Sequence, residues 1–193
     1  MGRKIHYPYS DGGNNSVKFE PTFIDGLFVI RPEIKIDDRG SFHRTFCESE
    51  FAEQNLATHF LQTSCSFNTT RGTFRGLHWQ ESPHAEVKLV RCVFGGIFDI
   101  AVDLRPLSKT YLKWFGIELS SSNRLQLYIP RGLAHGFLTL ADNTEVLYNI
   151  TPAHAPESAR GARWNDPALQ ITLPIPITVI SERDKNYPDF EIP

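Results

Sequence analysis

The feature that most constrains this chain is a two-residue hydrophobic alternation that recurs in short bursts. In the run from Phe98 to Leu104, the residues Phe98, Ile100, Val102 and Leu104 fall on one face of an extended strand. Asp99, Ala101 and Asp103 fall on the other. Leu125, Leu127 and Ile129 repeat the pattern, as do Val146, Tyr148 and Ile150. Gly95-Gly96 joins two such runs and reads as a hairpin turn. Many short strands at regular spacing demand a sheet folded onto itself, a sandwich or barrel, the jelly roll among them. The helical signal is small: residues 49–55 make the best short helix, with Ser49 as its expected N-cap. After Trp164, the prolines 167, 174, 176 and 188 predict loops and short edge strands. Residues 9–16 read as a polar loop, so 1–18 is expected to be a flexible lead-in and 19–193 a single domain.

Charge and cysteine usage narrow the function classes. The chain has 193 residues, enough for one domain with a sizeable core, and 14 Phe that predict an aromatic core or cleft. A net charge of -2 without a Lys/Arg run argues against nucleic acid as a partner, while a phosphate-bearing small ligand needs only a few placed cations. No stretch approaches the roughly 18 apolar residues of a membrane span, so no membrane contact is expected. Cys47, Cys65 and Cys92 are odd in number and include no Cys-x-x-Cys. That pattern disfavours a disulfide framework or zinc site and fits a reducing cytoplasm.

Two histidine motifs carry the chemistry. In Pro130-x-Gly132-x-x-His135-Gly136-Phe137, the Pro-Gly turn presents His135 on the next strand. This is similar to the second motif of the cupins, small jelly-roll barrels in which that His can ligate a metal. The first cupin motif supplies His-x-His and a later Glu. Here the stretch is His78-Trp79-Gln80, followed by His84 and Glu86, so Gln80 replaces the second His. A metal site wants three or four converging N/O ligands. His78, His135 and Glu86 are the set a metal reading would use, but the usual spacing is broken, and neither a metal nor a cofactor is expected. The bland reading of His135 is a buried, hydrogen-bonded barrel histidine. Strand geometry adds a condition. His78 and Gln80 share a face, whereas Arg75 would point the other way in a regular strand. Both Arg75 and His78 reach one pocket only if the strand bulges, and Gly76 is where the bulge fits.

Taken in order, a longer series of motifs appears. It runs through Asp38-Arg39-Gly40-x-Phe42, Arg75-Gly76-Leu77-His78-x-Gln80, Lys88-Leu89-Val90-Arg91 and the strand ending Asp103-Leu104-Arg105. It continues through the His135 motif, Glu145-x-Leu147-Tyr148, Trp164-Asn165-Asp166-Pro167 and Ser181-x-x-Asp184. The series resembles the dTDP-4-dehydrorhamnose 3,5-epimerase family over about residues 20 to 190. The resemblance implies an all-β, cupin-like jelly-roll barrel with a few short helices. It implies a cofactor-free isomerase that inverts carbons 3 and 5 of a nucleoside-diphosphate 4-keto-6-deoxyhexose. The implied roles are His78 as general base, Asp184 as its orienting carboxylate, Tyr148 as acid on the opposite sugar face, and Lys88 beside the developing enolate. Arg75, His135, Gln62, Ser64, Arg39, Phe42, Arg44 and Gln80 stand at the implied substrate-binding positions. The family is typically a homodimer whose N-terminal strands help complete the partner's site.

Elementary chemistry agrees with these roles. Epimerisation beside a ketone needs a base on one face, a proton donor on the other, and positive charge at the enolate oxygen. Histidine titrates near working pH, a carboxylate can fix its tautomer, and a lysine can serve the oxyanion. The sequence departs from the family pattern where the base is held. Ser64 stands for an expected Asn, Arg44 for a Glu, Asn149 for a Lys, and Ala153-His154 for an aromatic. Replacing an acceptor by Arg changes which base edge can be read, so CDP and GDP enter as candidate nucleotides. The alternatives are epimerisation at carbon 3 or 5 alone, a metal-dependent cupin oxygenase, and a non-catalytic sugar-binding cupin.

Overall fold

The computed structural model describes residues 16–191. The expected lead-in over 1–15 lies outside them, but strand β1 (Val17–Pro21) already begins at Val17, inside the expected 1–18 segment. It pairs antiparallel with β2 (Phe28–Pro32). A small hairpin, β3 (Lys35–Asp37) and β4 (Gly40–Phe42), leads to helix α1 (Glu48–Glu53). The helix lies where it was expected, but its cap does not. Cys47 occupies the extended N-cap position without a side-chain cap, and Ser49 sits inside the first turn with its hydroxyl against the Cys47 sulfur. Six residues cannot hold a helix unaided. Phe51, fully buried against Phe19, Phe46 and Tyr128, anchors it, and burying such a side chain contributes about 1.5–3 kcal/mol.

Eight strands then form the barrel: β5 (Gln62–Asn68), β6 (Thr73–Gln80), β7 (Val87–Phe94), β8 (Gly96–Asp103), β9 (Trp114–Ser120), β10 (Gln126–Ile129), β11 (Leu133–Thr139) and β12 (Thr144–Thr151). They divide into two facing antiparallel sheets, ordered β10-β7-β12-β5 and β6-β11-β8-β9. The chain crosses between sheets at nearly every connection, which is jelly-roll order. This corrects the reading of Gly95-Gly96. β7 and β8 do not pair; the glycines carry the chain from one sheet to the other, and the hairpin of this region is β8–β9. Period-two patterning identifies strands but does not say which ones are hydrogen-bonded neighbours.

Three apolar layers hold the sheets. Val90, Leu127 and Val146 meet Ile97, Ala101 and Phe137 between them. The first sheet's outer face is covered by α1 and neighbouring aromatics. The second sheet's outer face, with Ile100, Val102 and Leu138, is covered by the proline-rich tail through Ala162, Leu169 and Ile171. Both faces of β8 are therefore dry, and Asp99 and Asp103 point inward. Arg105 pairs with Asp103 at 2.8 Å, whereas Asp99 takes His135 at 2.7 Å and not Arg91. Arg91 alternates with inward-facing Val90 and Cys92 and so points away from the interior.

The tail forms β13 (Ala159–Gly161), β14 (Val179–Ile180) and helix α2 (Glu182–Lys185). Strand β14 pairs in parallel with β6, Val179 opposite Thr73 and Ile180 opposite Phe74. This pairing delivers α2 to the middle of β6.

Candidate active site

A cavity of about 620 Å³ opens between the two sheets. The second sheet supplies Arg75 and His78 from β6 and His135 from β11. The first supplies Ser64 and Ser66 from β5, Lys88 from β7 and Tyr148 from β12. Asp184 and Arg183 arrive from α2.

The expected bulge in β6 is present. His78 stands opposite His135 and Arg75 opposite Phe137, so β6 spends three steps where β11 spends two. Gly76 lies in the gap with φ +124, and a Cβ there would sit 2.6 Å from the Gly136 Cα. Only glycine suits that backbone and that approach. The extra residue turns Arg75 to the cavity side along with His78.

His78 Nε2 meets Asp184 Oδ1 at 2.7 Å. The other carboxylate oxygen accepts from Gly76 N–H at 3.2 Å. Ser181 is the N-cap of α2 and accepts from Asp184 N–H at 3.0 Å. Burial pushes the Asp184 carboxyl up, but the hydrogen bond and charge of His78, with Gly76 and Ser181, hold it below its ordinary value. An ionised carboxylate of this kind fixes the ring orientation and the tautomer.

On the facing sheet, the Tyr148 hydroxyl shares a 3.0 Å hydrogen bond with Ser66 Oγ, and its ring packs edge-on against His135. Burial raises its pKa; the Ser66 bond and the Arg75 charge only partly offset this, and Asp99 adds to it. Tyr148 therefore keeps its proton at neutral pH. Lys88 is buried, bonded to Glu86 at 2.7 Å and reaching the His78 carbonyl at 3.4 Å. The barrel encloses it although it lies at the start of β7. Arg75 is anchored by Nε to Asn68 Oδ1 at 2.7 Å, leaving its terminal nitrogens for an anion.

Not every expected residue meets the cavity. Gln80 lines it, but both ends of its amide hold backbone, at His84 O and Ala155 N–H. Gln62 is outside the lining and accepts from His154 N–H at 2.8 Å. Arg39, Phe42 and Arg44 belong to the β3–β4 hairpin and its exit and do not line this chain's cavity. Arg39 pairs with Asp37, Arg44 with Glu50, and Phe42 is 59% exposed. The metal set does line the cavity, but each member has another partner: His78 bonds Asp184, His135 bonds Asp99 and Glu86 bonds Lys88. Sequence reasoning missed Ser66, whose spacing from Ser64 already placed it on the same face. It also missed Asn68, on the same strand face two residues further on, and Arg183 and Tyr187, for which no sequence signal existed.

Comparison with known proteins places the chain among relatives. Residues 21–191 match the family model described as dTDP-4-dehydrorhamnose 3,5-epimerase. A protein of that name from Methanothermobacter thermautotrophicus is 44% identical over 174 residues, 88% of this chain and 92% of that one. The Bacillus anthracis enzyme of the same name, solved with TDP and PPi bound, superposes with a TM-score of 0.87 at 34% identity, covering 91% of this chain and 100% of that one. The Legionella pneumophila dTDP-6-deoxy-D-glucose-3,5-epimerase, solved with dTDP-4-keto-L-rhamnose, gives 0.82 at 36% identity over 88% and 90% of the two chains.

Proposed function

The chain belongs to the dTDP-4-dehydrorhamnose 3,5-epimerase family, and from that premise we propose that His78, Asp184, Tyr148 and Lys88 carry its reaction. It is an epimerase of nucleotide-linked 4-keto-6-deoxy sugars, an isomerase. Carbons 3 and 5 flank the carbon-4 ketone, so a proton on either is acidified by it. His78 takes that proton, and the C–H electron pair moves into the enolate. Lys88 faces the charge that develops on the carbonyl oxygen. Tyr148 delivers its proton to the opposite face and regains one from solvent, to which His78 gives up the proton it took. Asp184 keeps the far side of the His78 ring occupied, so the free nitrogen is the one offered to substrate. Arg75 holds the diphosphate. The observation that carries this reading is the facing arrangement: an oriented histidine on one sheet and a protonated tyrosine on the other, across one cavity.

The substrate proposed is the dTDP-linked sugar that the relatives' names specify, despite the changes at Arg44, Ser64 and Asn149. The proposed assembly is a homodimer. Arg39, Phe42 and Arg44 leave their own cavity unattended, and the β3–β4 hairpin is the element to complete a partner's. Among the described residues no helix is long and apolar enough to cross a membrane, and the three free thiols suit a cytoplasmic enzyme.

Incubation with dTDP-, CDP- and GDP-linked 4-keto-6-deoxy sugars in deuterated water tests the whole reading. Deuterium is expected at carbons 3 and 5 of the dTDP sugar. Exchange at one carbon overturns the double inversion, preference for CDP or GDP overturns the nucleotide, and no exchange overturns the enzyme assignment. H78N is expected to lower exchange by about 10²–10⁴-fold at both carbons.

A further inference from the structure

Asp184 is not the only group against the His78 imidazole. The His78 side chain is 40% exposed, and a single bond to a carboxylate leaves the ring free to rock about it. Tyr187 lies against that ring. The centroids are 6.2 Å apart and the planes meet at 71°, an edge-to-face contact. The tyrosine is itself fixed twice. Its ring rests on Gly161, where an added Cβ would come within 2.2 Å of the ring carbon Cζ, and Gly161 is the β13 residue paired with His78. Its hydroxyl accepts from Arg183 Nε at 2.6 Å.

Arg183 lines the cavity, and no carboxylate is bonded to it among the described residues. Held through Nε by a neutral oxygen, it resembles Arg75, held through Nε by Asn68. Each keeps its terminal nitrogens for an anion.

We propose that Tyr187 is a positioning residue with two separable parts: its ring fixes the His78 imidazole for proton transfer, and its hydroxyl holds Arg183 toward the substrate diphosphate. The proposal rests on His78 being the base. The ring part belongs to the chemical step and acts on kcat. The hydroxyl part belongs to binding and acts on KM. Gly161 is required because any side chain there lifts the ring off.

Steady-state kinetics and deuterium exchange on four variants test it. Y187A is expected to lower kcat about tenfold and to raise KM severalfold. Y187F keeps the ring, so it recovers most of the lost kcat while KM stays raised. G161A, which retains Tyr187 in the chain but displaces its ring, reproduces the kcat loss of Y187A. The double variant G161A/Y187A is no worse than Y187A alone, because the displaced ring is gone. A wild-type kcat in Y187A or G161A, or a kcat in Y187F as low as in Y187A, overturns the ring part. A wild-type KM in Y187F overturns the hydroxyl part. If Y187A does not fold, G161A and Y187F still decide both. H78N separates this from the functional reading. Exchange surviving in H78N removes the base itself, whereas exchange lost in H78N but normal in the Tyr187 variants removes only the present proposal.

Discussion

Asp99 and Asp103, four residues apart on β8 and both fully buried, meet different ends. Asp103 collects Arg105, Ser108 and Thr110. Burial pushes its carboxyl up, but these partners pull it down to about 2. A folded-state pKa below the unfolded one gives stability that is complete above the ordinary value near 3.8 and is lost as pH falls through about 2. A shift of that size corresponds to about 2 kcal/mol. D103N should therefore lose at least about 2 kcal/mol in urea unfolding at pH 7, with the gap to wild type closing below about pH 4. The cysteines give a second residue-scale expectation. The thiolate is the reactive form. The Ser49 hydroxyl and the Glu50 backbone lower the Cys47 thiol. Burial, then Glu145, push Cys65 up to about 11, and burial pushes Cys92 up to about 11. Limited iodoacetamide labelling at pH 8, read by peptide mass spectrometry, should modify Cys47 first although Cys65 is the more exposed residue.

Among the elements, α2 carries the most chemistry for its length. Its four residues depend on the Ser181 cap, and Asp184 lies within the capped turn. S181A should cost about 1 kcal/mol of stability and reduce exchange at both sugar carbons together, since it loosens the carboxylate and not the pocket. Loss at one carbon alone would contradict that. The strands of the barrel were legible because alternation is a local property, and the β6 bulge followed from requiring Arg75 and His78 in one pocket. Which strands pair was not legible. Gly95-Gly96 has hairpin composition, yet β7 and β8 join different sheets because burial is decided by facing layers, not by neighbours in sequence. The cap of α1 was misread for a related reason: Ser49 has the right chemistry, but the backbone turns helical one residue after Cys47. The role of Gln80 was obscured because a glutamine facing a cavity can serve ligand or backbone, and here the backbone holds it. Tyr187 was invisible, since its partners Gly161 and His78 are brought to it only by β13 and β14.

For the whole molecule, the β3–β4 hairpin sets the expectation. If its residues serve a partner's cavity, two inactive variants should rescue each other. H78N has a faulty cavity and an intact hairpin, and F42A the reverse. Mixed and allowed to exchange subunits, they should recover about a quarter of wild-type activity, because half the dimers become mixed and each holds one complete site. No recovery, with a mixed species seen by native mass spectrometry, would return the hairpin to its own chain. The His78–Asp184 bond has a consequence in time. Its partners lie 106 residues apart in the chain, and a ribosome adding about 5–20 residues per second takes roughly 5–20 s to travel from one to the other. Throughout that interval the barrel strands emerge with a histidine that has no carboxylate to orient it. The nascent chain should not turn over sugar nucleotides until Asp184 has emerged, and activity should then appear in one step.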